Sequence, residues 1–474
     1  MRDLIKFIKK HKKIIPILLI ISLGFFLRAY RLTDFMAYHE DQVRDLFFIK
    51  NHFESLQPIL LGPKASVGNF FLPPFWYYLM SLVFLFSKSP VAQAFLIVLF
   101  STATIAVFYI FLKRFFSNTI ALCGSLLLAV SPMAIEYGRF AWNPNPIPFF
   151  VVLLFFFLYS YIFDKKEWGF YFGVVASNLL LQLHYQGFIL FLFFFFVLLF
   201  SKKLSLKKLI IFILINLVLL SPYIYYELTH RFQNLAGVIA FISKPQLAEL
   251  KFFGIPFFIK YLIHDFVTFI GRTVSFNNTY LAFIIFFLSC VYLFIPFHRV
   301  QDRLIKYSYF FSIILLYFYR NSLIDYYLLF LIPITILYFL IILERLPIKK
   351  PIVFLAIALL ALLNLVFSPA FKYTKPIYPE IKRVTDAITV EKDYCLIYDL
   401  FSESYTDEKI KYLVTLSKNQ PKTKRCGTIY YVCHLDKCRF DSHLLVDEKF
   451  IKCEKFDEGN KGLYCRINNG GIFY

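Results

Sequence analysis

The sequence predicts an all-α polytopic membrane protein that ends in a small extracytoplasmic α/β domain, and three observations carry that prediction. The chain is 59% hydrophobic and 21% aromatic, and most of this content falls in blocks of about 15 to 20 apolar residues, the length a helix needs to cross a bilayer. The basic residues behind the net charge of +21 lie in short clusters between the blocks, as cytoplasmic loop charges do. Six of the eight cysteines lie at Cys395 and beyond, where the composition turns polar, which fits an oxidising compartment outside the cytoplasm. Because apolar blocks separate the basic clusters, no continuous basic face forms, and nucleic acid is excluded as a partner.

The first block, 14–27, follows the run Lys9-Lys10-His11-Lys12-Lys13 and has no small-residue cleavage site after it, so it reads as a retained anchor rather than a signal peptide. Spans are then expected at 14–32, 90–112, 119–135, 146–163, 168–184, 186–201, 209–226, 279–297, 304–319, 326–344 and 351–368, about eleven in all. Two apolar segments are set aside. Behind Pro73-Pro74, segment 75–86 is too short for a hydrocarbon core about 30 Å thick, and 252–270 is interrupted by Lys260, His264 and Asp265 on one helical face. Both read as helices lying in the interface. The basic clusters Lys113-Arg114, Lys165-Lys166, Lys202 to Lys208, Arg299 to Lys306 and Arg345 to Lys350 then share one side with the N-terminus, the cytoplasmic side of the cell membrane. The membrane domain is expected over 1–369, with 33–89 as its first outer loop, and the α/β domain over 370–474. Within the latter, 377–390 reads as a helix and 394–398 and 428–432 as strands.

The opposite side collects the residues with chemistry. Directly after the first span come Glu40 and Asp41, with Arg44 and Asp45 about one helical turn further on. A guanidinium at that spacing can orient Asp41, and an ionised carboxylate can take the proton of an acceptor hydroxyl. Arg139 and Arg320 are lone cations on the less basic side. Each reads either as a side chain snorkelling to lipid headgroups or as a planar fork gripping a phosphate. His184 sits where two short spans reverse and reads as a turn histidine before it reads as a ligand. Cys433 and Cys438 flank His434 but lack a second matching pair, so a disulfide is expected there rather than zinc. No Walker loop or GxGxxG is present, which leaves a nucleotide-fuelled pump without a motor.

Several stretches carry a resemblance: His39-Glu40-Asp41-Gln42-Val43-Arg44-Asp45, the run 60–78 with Gly62-Pro63-Lys64 and Pro73-Pro74-Phe75-Trp76-Tyr77, Glu136-Tyr137-Gly138-Arg139-Phe140-Ala141-Trp142-Asn143-Pro144-Asn145, Leu183-His184-Tyr185 and Ile324-Asp325-Tyr326-Tyr327. Together they resemble the GT-C class of integral-membrane glycosyltransferases, and within it the protein O-mannosyltransferase and aminoarabinose-transferase superfamily known as glycosyltransferase family 39. The resemblance implies an inverting transferase that takes a sugar from a polyprenyl-phosphate carrier and passes it to a hydroxyl of a protein, lipid or polysaccharide acceptor. Asp41 matches the catalytic position, with Glu40 and Asp45 as further candidates. Arg44, Lys64, Arg139 and Arg320 are then expected at the carrier phosphate. His39, Asn143, His184, Tyr185, Asp325 and Tyr326 are expected in the substrate pocket.

Many relatives carry an Asp-Glu pair where this chain has Asp41-Gln42, which leaves divalent-metal dependence open. Asn143 and Asn145 stand where relatives often carry an acid, and two neutral amides offer a hard cation little charge. A transporter of lipid-linked sugars is the rival class. It would place charges near the bilayer midplane, and the expected spans are nearly free of them.

Overall fold

The computed structural model describes residues 14–65, 68–243, 263–317, 323–372, 377–398, 406–422, 428–434, 451–456 and 462–468. The expectations for the N-terminal basic run, Lys260, Arg320 and Cys438 lie outside the described residues.

The helices in chain order are α1 (Ile15–Ala29), α2 (Glu40–Ser55), α3 (Phe75–Phe84), α4 (Pro90–Phe115), α5 (Asn118–Val130), α6 (Ile147–Ile162), α7 (Glu167–Leu183), α8 (Gly187–Phe200), α9 (Leu206–Leu219), α10 (Ser221–Thr229), α11 (Gln233–Ser243) and α12 (His264–Thr273). They continue as α13 (Thr279–Phe294), α14 (Val300–Tyr317), α15 (Ile332–Arg345), α16 (Lys350–Val366), α17 (Ile377–Thr389) and α18 (Thr406–Thr415). Every expected span falls on one of these helices or on two in succession.

By length and composition, three helical stretches among the described residues can cross a membrane: Pro90–Phe115, Asp325–Arg345 and Lys350–Phe371. The bent pair α9 and α10 makes a fourth. The difference from about eleven expected spans lies partly in where prolines stop the helices. Segment 209–226, expected as one span, turns by 69° between α9 and α10 just before Pro222, whose ring clashes with the preceding turn and removes a backbone donor. Likewise the expected span 119–135 is broken at Ser131, where α5 ends at Val130 and a short helix, Pro132–Glu136, follows.

That early stop positions the outer loop that follows it. The last carbonyls of a helix have no intrahelical partner, and here Arg28, fully buried in α1, takes them: Nη2 donates to Leu128 O at 3.2 Å and Nη1 to Ala129 O at 3.0 Å, while Nε donates to Ser101 Oγ at 2.6 Å. One side chain thus ties α1, α4 and α5 together at the root of segment 131–146.

The centre of the bundle is the Asp325–Arg345 stretch, a 3-10 turn (Asp325–Leu331) running into α15. It is 89% buried, against 22% for Lys350–Phe371 at the periphery. At its basic end the wholly buried Asp302 accepts from Arg299 at 3.0 Å and Arg345 at 2.7 Å. The site lies at the opposite end.

The C-terminal segments form a four-stranded sheet of β1 (Tyr394–Tyr398), β2 (Thr428–His434), β3 (Ile451–Phe456) and β4 (Gly462–Asn468) in the order β1-β2-β4-β3. β1 and β2 are parallel and the other pairs antiparallel. The sequence indicated β1, β2 and α17 but not α18, β3 or β4. The expected Cys433–Cys438 bridge falls on a residue outside the description. Cys395 on β1 is disulfide-bonded, and the β3–β4 register sets Cys453 opposite Cys465. α18 braces α2, because Tyr38 donates to Lys409 O at 3.1 Å and the Phe47 and Tyr412 rings meet edge to face at 5.2 Å.

Candidate active site

Helix α2 presents the carboxylates. Its first turn is held by Gln42, whose Oε1 accepts from His39 N–H at 2.9 Å, so the polar stretch enters the helix in one defined register. Asp41 stands in that first turn and Arg44 one turn on. Arg44 Nη1 donates to Asp41 Oδ1 at 2.6 Å, and its Nε and Nη2 donate to Asp45 Oδ1 at 3.0 and 2.7 Å. Asp45 also accepts from Trp76 Nε1 at 2.8 Å and Tyr77 OH at 3.0 Å, both on α3.

The two aspartates therefore have different jobs. The Asp45 side chain is 4% exposed and Asp41 is 35% exposed. Burial pushes the Asp45 carboxyl above its ordinary range, against the opposing pull of Arg44 and Trp76. Burial likewise works against the Arg44 charge, but Asp45 and Asp41 more than offset it and hold the guanidinium above its already high value. Asp45 is the bolt between α2 and α3 that aims Arg44, and Arg44 in turn aims Asp41.

Two cavities meet at Asp41. The first, of about 350 Å³, is lined by Asp41, Arg44, Lys64, Asn143, His184 and Tyr185 with a largely apolar wall that includes Phe70, Phe188, Val238 and Phe241. The second, of about 550 Å³, is lined by Asp41, His39, Glu136, Tyr137 and Asp325 and reaches Ile377 of α17. Among the described residues only Asp41, Trp142 and Tyr326 line both. His184 packs its ring against Tyr326 and Tyr327 at 5.7 and 5.5 Å, and Asn143 is fixed by donating to Leu183 O at 2.7 Å.

Lys64 reaches the first cavity from a hairpin arm in which it forms an antiparallel bridge with Phe71. Asn234 of α11 clamps that hairpin: its Oδ1 accepts from Phe71 N–H at 2.5 Å and its Nδ2 donates to Phe71 O at 3.0 Å. Tyr185 donates to the same carbonyl at 2.7 Å. The approach is close enough that a Cβ on Gly237 would lie 2.4 Å from Asn69 O. Replacing Asn234 by leucine should leave the Phe71 N–H unpaired, leave the Phe71 carbonyl to Tyr185 alone, and loosen Lys64. A carrier-phosphate affinity reduced by about 1 to 2 kcal/mol is expected, read by titrating undecaprenyl phosphate.

Three sequence-predicted site residues stand elsewhere. Glu40 is exposed and lines neither cavity, and Asp45 is withdrawn into the α2–α3 contact. Arg139, expected at the phosphate, is 2% exposed. It donates to Tyr30 O, the carbonyl that ends α1, and lies 4.2 Å over the Phe35 ring. Burial, and after it the nearby Arg31 charge, lower its guanidinium to about 10. The guanidinium serves a helix end and an aromatic face and lines neither cavity.

Sequence reasoning missed Arg272, on α12, which pairs with Glu136 at 2.8 Å and with Asp325. Tyr137 OH donates to Asp325 at 2.6 Å, so three distant segments close one wall of the second cavity. The signal present was an arginine just past 252–270, the segment read as an interfacial helix.

Residues 72–226 match the family model of dolichyl-phosphate-mannose-protein mannosyltransferase. The whole fold superposes on ArnT from Cupriavidus metallidurans, solved bound to undecaprenyl phosphate, with a TM-score of 0.61 at 13% identity over 95% of this chain and 97% of that one. The fold is that of a GT-C glycosyltransferase. The Archaeoglobus fulgidus oligosaccharyltransferase, solved with zinc and sulfate, shares the GT-C fold with a TM-score of 0.53 at 11% identity, over 89% of this chain and 68% of that one. No curated protein matches the sequence. Among the described residues no group of three or more His, Cys, Asp or Glu is placed to hold a metal ion.

Proposed function

We propose that this chain transfers a sugar from a polyprenyl-phosphate carrier to an acceptor hydroxyl, at the end of the bundle away from the basic loops. The observation that carries the reading is the seam: Asp41 lines both cavities, while Lys64 and Arg44 line only the first. The first cavity then takes the donor, its phosphate between Lys64 and Arg44 and its prenyl chain along Phe70, Phe188 and Phe241. The acceptor enters the second cavity, with its hydroxyl at Asp41.

Asp41 takes the hydroxyl proton as the acceptor oxygen attacks the sugar C1 from the face opposite the phosphate, which inverts the centre. The leaving phosphate keeps the electron pair, and the two cations stabilise its growing charge. Asp45, Asn143 and Asn234 position these groups and do not touch the reacting atoms. Segment 370–474, as a domain outside the membrane, contributes Ile377 to the acceptor wall and braces α2. The family match over 72–226 and the GT-C fold support the reading, as does a site whose cations and base face a shared space.

Undecaprenyl phosphate binding separates this assignment from the sequence-based one. Lys64→Ala should weaken binding by about 1.5 to 3 kcal/mol for a lost charged hydrogen bond, whereas Arg139→Ala should leave it unchanged in protein that remains folded. The reverse ranking would return the phosphate to Arg139.

A further inference from the structure

The second cavity holds a charge pattern that a general acceptor site does not require. Its lining includes four carboxylates, Asp34, Asp41, Glu136 and Asp325, and among the described residues no lysine or arginine. The cations that pair with these acids are not among the lining residues. Arg31 holds Asp34 at 2.7 Å, Arg272 holds Glu136 and Asp325, and Arg44 faces the first cavity. A group entering the second cavity therefore meets carboxylate oxygens first, and an anion is repelled in a space partly shielded from water.

The rest of the lining mixes the rings of Phe35, Tyr137, Phe140, Trp142 and Tyr326 with His39, Gln42 and aliphatic side chains. Trp142 stacks on Phe140 with ring centres 6.0 Å apart and a 28° interplanar angle, and meets Tyr326 at 4.5 Å. Carboxylates are acceptors only, so they suit a ligand rich in O–H or N–H donors. Flat aromatic faces suit the C–H face of a sugar ring. A phosphate group adds negative charge and acceptor oxygens, and so matches neither the carboxylates nor the aromatic faces.

We propose that the acceptor is a carbohydrate without phosphate or carboxylate groups, neutral or amine-bearing, seated on Trp142 with one hydroxyl at Asp41. This rests on the reading that the second cavity is the acceptor side of a sugar transfer. In that step the bond between the donor sugar C1 and the phosphate oxygen breaks, with its electron pair remaining on the carrier phosphate at Lys64 and Arg44. The acceptor oxygen bonds to C1, and its proton passes to Asp41.

Two measurements on the full chain test the proposal. In the first, without donor, tryptophan emission is followed during titration with methyl α-mannoside and with mannose 6-phosphate. Methyl α-mannoside should shift the emission of the wild type but not of Trp142→Phe, and mannose 6-phosphate should bind at least about tenfold more weakly. Equal or tighter binding of the phosphorylated sugar, or no response to either, overturns the proposal. The double variant Glu136→Gln with Asp325→Asn, which uncovers Arg272, should raise the affinity for mannose 6-phosphate by about fivefold or more; no gain there contradicts the charge argument.

In the second, polyprenyl-phosphate mannose is supplied with each sugar or with a serine- and threonine-containing peptide, and free polyprenyl phosphate is measured. Release driven by methyl α-mannoside supports the proposal. Release driven only by mannose 6-phosphate or only by the peptide overturns it and leaves the transferase reading intact. Sugar binding in the first measurement, with no release under any condition in the second, sinks the transferase reading instead.

Discussion

Asp41→Asn is expected to slow single-turnover sugar transfer by about 10²-fold or more while carrier binding survives. Asparagine keeps the size and polarity of the side chain and removes its capacity to take a proton. Arg44 exchanges a carboxylate partner at 2.6 Å for a neutral amide oxygen and keeps Asp45 through two hydrogen bonds, so the phosphate side of the site should remain in place. The contrast between a lost rate and a retained affinity is the result to look for, using undecaprenyl phosphate titration and rapid-quench turnover in the same detergent. A variant with full turnover would move the base to another carboxylate facing the second cavity, Asp325 or Glu136. A variant that loses both rate and binding would mean that Asp41 acts through Arg44 rather than on the acceptor.

Asp45→Asn should do the opposite, damaging the scaffold first. The carboxylate accepts from Arg44, Trp76 and Tyr77 in a buried setting, and an amide cannot accept from all three with its nitrogen turned inward. An unsatisfied buried donor costs about 1 to 3 kcal/mol, and the partly exposed Arg44 is discounted as a contributor for solvent screening. A thermal midpoint lower by several degrees is expected, together with weaker carrier binding as Arg44 loses its fixed aim. An unchanged midpoint with abolished turnover would make Asp45 a participant in the chemistry.

The sequence carried the positions of most apolar helices and the pairing of Asp41 with Arg44, because both are local. Apolar length places a helix, and the spacing from Asp41 to Arg44 falls within one turn. It was less able to rank the outer arginines. Arg139 and Arg272 both fall in stretches expected away from the basic clusters, and nothing within a few residues of either separates them. What separates them is three-dimensional: Arg139 folds back on Phe35 and the end of α1, while Arg272 reaches Glu136, which lies 136 positions away. The hairpin carrying Lys64 shows the same limit, since the clamp that fixes it comes from Asn234, 163 positions on. Hydrophobic periodicity reports which face of an element is buried but not which distant element covers it. The helix breaks at Pro132 and Pro222 were legible in principle, and treating each apolar block as one straight span passed over them.

The central claim is that a sugar leaves its lipid carrier at this site, and it is tested most directly by following one polyprenyl-phosphate sugar in vesicles containing the purified protein. The account predicts free polyprenyl phosphate and a glycosylated acceptor, formed together by the wild type and not by Asp41→Asn. Intact donor recovered from the opposite leaflet, with its sugar still attached and no free carrier formed, would contradict the account and make the protein a transporter of lipid-linked sugars.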